Sequence, residues 1–136
     1  MKVFITNMLI LLVMSTLTFA QVSGETNQIF TDAKTAIKAG NVNDLTKHFN
    51  EKIDLNFDGE IKTYSQAQAE FVLKDFFKKY PVVDFKYDHI GRSPEGLQYA
   101  IGKYTYSGGA FLVYIMIKDF NGKQIIDTLN FHEEDD

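Results

Sequence analysis

Three side chains in this sequence have types and settings that could do chemistry. Asp127 lies in the run Gln124-Ile-Ile-Asp-Thr-Leu-Asn-Phe131, where alternation along a strand groups it with Ile125, Leu129 and Phe131. If that face lines a cavity, Asp127 is a carboxylate among apolar groups, and lost solvation raises its pKa towards the range of a general acid or base. His89 stands similarly behind Val83, Phe85 and Tyr87, and the Tyr87 hydroxyl could donate to an oxyanion. Asp127, His89 and Tyr87 would together serve an isomerase or a dehydratase-like lyase acting on a small hydrophobic substrate. The plainer reading is structural. A lone aspartate near a strand end usually bonds to backbone or pairs with lysine, and a lone histidine on an apolar face is usually a satisfied core residue.

Other chemistries find little support. The chain has 0 Cys, so thiol nucleophiles and disulfides are excluded. His48, His89 and His132 lack metal-ligand spacing, and the acidic tail from Glu133 to Asp136 lacks the turn of a calcium loop. That tail reads as a solvated terminus. Neither Gly102-Lys103 nor Ser107-Gly108-Gly109 has the form of a phosphate loop, and no serine occupies a recognisable nucleophile elbow. No metal or cofactor is therefore expected. The net charge is −4 and Arg92 is the sole arginine, so the basic footprint of a nucleic-acid binder is missing and acidic lipid surfaces are disfavoured.

The elements that must position these residues can be read in order. Ile29, Phe30, Ala33, Ala36 and Ile37 recur at helical spacing after a cap at Thr26 or Asn27, and Gly40 is placed to end the helix. A shorter helical segment follows Asn41 to Asp44, turning Leu45 and Phe49 inward and leaving His48 on the surface. Ile53, Leu55 and Phe57 alternate with polar residues, and Asp58-Gly59 turns that strand back into an edge strand over Ile61 to Tyr64. Ser65 and Gln68 form a capping box ahead of the longest helix, whose stripe is Ala69, Val72, Leu73, Phe76 and Phe77; Pro81 stops it. Four strands complete the chain: one through Val83 to His89, then a meander from Leu97 to Phe131 broken by Ser107-Gly108-Gly109 and Asn121-Gly122.

The N-terminus reads as a signal peptide. Met1-Lys2 precedes an apolar stretch centred on Met8 to Val13 and then Thr18-Phe19-Ala20, with small residues placed for cleavage after Ala20. The stretch is short for a membrane span, which needs about 20 apolar residues. Residues 1–20 are thus expected to be a leader and residues 21–136 a single domain, exported to the periplasm or beyond the cell, with no membrane span after cleavage.

The strand Phe111 to Lys118 is apolar on both faces, with Phe111, Val113, Ile115 and Ile117 on one and Leu112, Tyr114 and Met116 on the other. Both faces must then be shielded. Tyr104, Tyr106 and Ile126 would extend the second face into a patch for homodimerisation; cover by sheet curvature or by the first helix is the competing explanation. The 12 Phe and 7 Tyr suit either a filled interior or a pocket for a small apolar ligand, for which Phe85, Tyr87, Tyr99, Leu129 and Phe131 are the expected lining.

Two helices, a small hairpin, one long helix and four strands make up an order that resembles the nuclear-transport-factor-two-like superfamily. The signal peptide, Ala39-Gly40-Asn41 with Leu45 and Phe49, Tyr64-Ser65 with Phe76-Phe77, and Leu129-Asn130-Phe131 look like a narrower family of small exported bacterial proteins known only as a domain of unknown function. The resemblance implies an α+β cone, a curved antiparallel sheet wrapped around the long helix with two N-terminal helices, and it favours a dimer. It carries no established activity, because the superfamily hosts enzymes, binding proteins and dimerisation modules alike. The expected function is an exported, non-enzymatic binding or interaction module, with the isomerase or lyase as the alternative.

Overall fold

The computed structural model describes residues 27–135, so the expected leader over residues 1–20 lies outside the described residues. The elements run α1 (Gln28–Ala39), α2 (Val42–Thr46), β1 (Phe49–Phe57), β2 (Glu60–Ser65), α3 (Gln66–Lys79), β3 (Asp84–Arg92), β4 (Gln98–Tyr106), β5 (Gly109–Phe120) and β6 (Lys123–Glu133). Asn27 caps α1, its side-chain oxygen accepting from the Ile29 amide at 3.0 Å. The buried stripe of α1 is Phe30, Ala33, Ala36 and Ile37, and Gly40 closes the helix at φ 67°. Phe49 is buried as expected, but as the first residue of β1 rather than on the short helix.

Asp58 and Gly59 both adopt positive φ, 52° and 88°, the backbone of a two-residue hairpin whose twist matches its strands. Ser65 Oγ then accepts from the Gln68 amide while the Gln68 side chain accepts from the Ser65 amide. This capping box starts α3 immediately beyond the edge strand. Ala69, Leu73, Phe76 and Phe77 form its buried face.

The six strands form one curved sheet in the order β2-β1-β6-β5-β4-β3. Neighbours are antiparallel except β1 and β6, which run parallel. That parallel pairing docks the β1–β2 hairpin beside the last strand and leaves α3 packed against the inner face. Phe76 is the hub of the interior. Its ring centroid lies 4.5 Å from that of Phe131, 5.1 Å from Phe111, 5.2 Å from Phe57 and 5.8 Å from Tyr104. Rings from one helix and four strands thus fill the cone, each pair within the range where aromatic contacts add to simple burial.

Two irregularities decide which side chains face inward. Tyr87 pairs with Gly102 but His89 with Ile101, so Asp88 is an extra residue in β3. Met116 pairs with Thr128 but Ile117 with Ile126, so Asp127 is an extra residue in β6. Each bulge reverses the alternation beyond it, because side chains in a strand change face with every residue.

Candidate functional site

The three residues expected to do acid–base chemistry are not brought together. Tyr87 faces inward, and its hydroxyl donates to the Phe30 carbonyl at 2.6 Å, tying β3 to α1. Burial pushes the Tyr87 hydroxyl pKa well above its usual value. His89, expected on the same face as Tyr87, lies on the outer face because of the bulge at Asp88. There its Nε2 meets the Tyr99 hydroxyl at 3.1 Å. Asp127, expected among inward apolar groups, sits at its own bulge with Oδ2 3.1 Å from Lys118 Nζ. Among the described residues, no buried side-chain nitrogen or oxygen lacks a hydrogen-bond partner.

The expected pocket lining divides in the same way. Phe85 and Leu129 are fully buried in the packed interior. Tyr99 is not part of that interior, since it pairs with Met116 on the outer face. Phe131 does border open space, at the mouth of the cone. A cavity of about 250 Å³ opens there between the Asp58 turn, the C-terminal half of α3 and the start of β5. Phe57, Phe76, Tyr80, Phe111 and Phe131 line it, with Asp58, Asp75 and Lys79 among its polar groups. Of this set only Phe131 is among the pocket-lining residues expected from the sequence; Phe57, Phe76 and Phe111 are expected there only as core-facing side chains. Phe76 and Tyr80 stand four residues apart at the end of α3, but Phe57 and Phe111 lie on two distant strands, so no local spacing joins all four.

On the outer face, Leu112, Tyr114 and Met116 project as the alternation of β5 requires, each only partly covered. Tyr104 and Ile126, expected beside them, face the other way. Tyr104 pairs with Phe111, is fully buried, and bonds through its hydroxyl to the Tyr80 carbonyl. The β4–β5 loop has two residues, Ser107 and Gly108, which sets Tyr106 opposite Gly109. A three-residue loop would have put Tyr104 on the face of Leu112. Tyr106 follows Tyr104 to the inner side, stacking on Phe111 at 5.2 Å. Ile126 is turned inward by the Asp127 bulge and is fully buried.

Their places outside are taken by Tyr99 and Ile101, which the register aligns with Met116 and Tyr114. One continuous row crosses all six strands: Ile61, Asn56, Asn130, Tyr114, Ile101 and His89. Tyr99 and Tyr114 stack at 5.7 Å. Burial, and then the neighbouring Tyr99, push the Tyr114 hydroxyl pKa up. At one corner of the patch Lys103 pairs with Leu112 and Lys86 with Lys103; at the diagonal corner Asp54 pairs with Thr128. His132, next to Leu112, has Nδ1 3.6 Å from Asp58, and His48, expected at the surface, is partly covered with Nε2 3.7 Å from Asp32.

Among the described residues, no group of three or more His, Asp or Glu side chains is placed to hold a metal ion. Nor is any helix among them long and apolar enough to cross a membrane.

A curved sheet wrapped around one long helix, with an aromatic interior and two short N-terminal helices, is the nuclear-transport-factor-2-like fold. An NTF2-like protein of unknown function from Shewanella baltica OS155 matches with a TM-score of 0.60 at 12% identity, covering 80% of this chain and 90% of that one. The chain belongs to the family described as "Domain of unknown function (DUF4783)", whose sequence model matches residues 30–132. Solved structures of family members agree. The Bacteroides ovatus ATCC 8483 protein has a TM-score of 0.72 at 24% identity, covering 77% of this chain and 94% of that one. The Bacteroides uniformis ATCC 8492 protein has the same TM-score and identity, covering 78% and 97%. No protein with a curated description matches the chain.

Proposed function

We propose that this protein is an exported, non-enzymatic interaction module that pairs with a second copy of itself through the outer face of its sheet. The observation that carries this reading is the block formed by Tyr99, Ile101, Leu112, Tyr114 and Met116, five large side chains on adjacent strands whose other face is already filled. Apolar patches of this kind on a soluble domain mark interaction sites. A second copy fits because an isologous pairing needs only this one patch. A two-fold axis in the plane of the sheet, passing near Tyr114, sets the five side chains against their own counterparts.

The non-catalytic reading is supported by the separation of Asp127, His89 and Tyr87, each held by a different partner on a different part of the cone. Export rests on the leader-like residues 1–20 alone. Sedimentation velocity over a concentration series tests the self-pairing. A reversible monomer–dimer equilibrium supports it, and a monomer at every concentration refutes it.

A further inference from the structure

We propose that the mouth of the cone binds a small organic cation of the alkylammonium class. Five aromatic rings from α3, its C-cap, β1, β5 and β6 line a cavity of about 250 Å³, below the roughly 300 Å³ at which pockets for drug-sized ligands begin. The ring planes differ in direction, as walls around a space must. Phe57 and Phe131 are parallel within 9°, Phe111 stands at 87° to Phe131, and Tyr80 at 74° to Phe111. Aromatic faces carry partial negative charge and attract a cation set over them.

Charge at the rim points the same way. Asp58 and Asp75 contribute two carboxylates against the single ammonium of Lys79. Asp58 is fixed in place, accepting from the Glu133 amide at 2.7 Å, with His132 Nδ1 at 3.6 Å. Asp75 enters none of the described ion pairs, so its charge is open to a ligand. The protein's own cation shows how the site can be used: Lys79 Nζ lies 5.4 Å from the centroid of the Tyr80 ring, within the range of a cation–π contact. An alkylammonium ion in the cavity would take over that contact, its carbon chain lying against Phe57, Val72 and Tyr80, the partly exposed apolar side chains of the lining. An anionic ligand would find one lysine and two opposing carboxylates.

The test titrates the full chain with butyltrimethylammonium, butyrate and butanol, which share a four-carbon chain and differ in charge. Calorimetry and the aromatic proton shifts serve as readouts. The cation is expected to saturate the site about tenfold more tightly than either of the others. Lys79→Ala, which removes the internal cation, is expected to tighten butyltrimethylammonium about threefold, and Asp75→Asn to weaken it about threefold. Both residues are exposed on α3, so neither change threatens the fold. The proposal is overturned if butyrate binds as well as the cation, if no probe saturates, or if Lys79→Ala weakens cation binding. None of these outcomes depends on whether two copies pair through the outer face.

Discussion

Lys118 Nζ lies 3.1 Å from Asp127 Oδ2, with the lysine side chain 50% and the aspartate side chain 20% exposed. The bulge at Asp127 is what allows this contact, by freeing the carboxylate from the inner face. Ion pairs this close to solvent contribute little, so Asp127→Asn should lower unfolding free energy by less than about 1 kcal/mol, with the difference shrinking further in added salt. Urea unfolding measures it. A loss of about 3 kcal/mol or more would mean that the carboxylate belongs to a buried network instead.

Gly102 is required by a neighbour rather than by its own backbone. A Cβ there would lie 2.7 Å from Phe85 Cζ and 2.9 Å from the Lys86 carbonyl oxygen. The Phe85 ring is fully buried and the Lys86 oxygen belongs to the paired strand, so neither yields easily. Gly102→Ala should therefore destabilise the fold by about 1–3 kcal/mol. Thermal unfolding gives the value, and no change in midpoint would show that Phe85 can swing aside.

Alkaline pH should expose the two inward tyrosines. Burial raises the pKa of Tyr87 and of Tyr104 in the folded chain, while in the unfolded chain both titrate near the usual value of about 10. The folded state therefore holds protons that the unfolded state has released. Their contribution is complete below pH about 10 and falls as pH rises above it. Unfolding midpoints should hold steady up to that point and then drop, and the drop should be shallower in Tyr87→Phe.

How much of this was legible in the sequence depends on whether the signal is local. The Asp58-Gly59 hairpin, the Ser65–Gln68 capping box, the Gly40 stop and the two-sided apolar run of β5 are each carried by residues within a few positions of one another. All appear in the structure. Face assignments on the flanking strands depend on register, because a shift of one residue reverses them. The bulges at Asp88 and Asp127 moved His89 outward and Ile126 inward, and a two-residue β4–β5 loop moved Tyr104 inward. Neither aspartate differs in type from an ordinary polar strand residue, so its extra place in the ladder is visible only once the partner strand is known. The same holds for the cone mouth, where Phe57 and Phe111 reach Phe76 and Tyr80, four residues apart at the end of α3, only through the parallel β1–β6 pairing and the packing of α3.

Tyr114 stands at the centre of the outer face, between Ile101 and Asn130, and a lysine there would set two like charges against each other across a two-fold interface. Its inward neighbours Val113 and Ile115 remain untouched, so the cone itself should stay folded. Light scattering coupled to size exclusion compares Tyr114→Lys with the unaltered chain at equal concentration. Self-pairing through this face requires twice the chain mass for the unaltered protein and a single chain mass for the variant, with matching circular dichroism. Equal masses for the two folded proteins, whether both single or both double, would contradict self-pairing through this face.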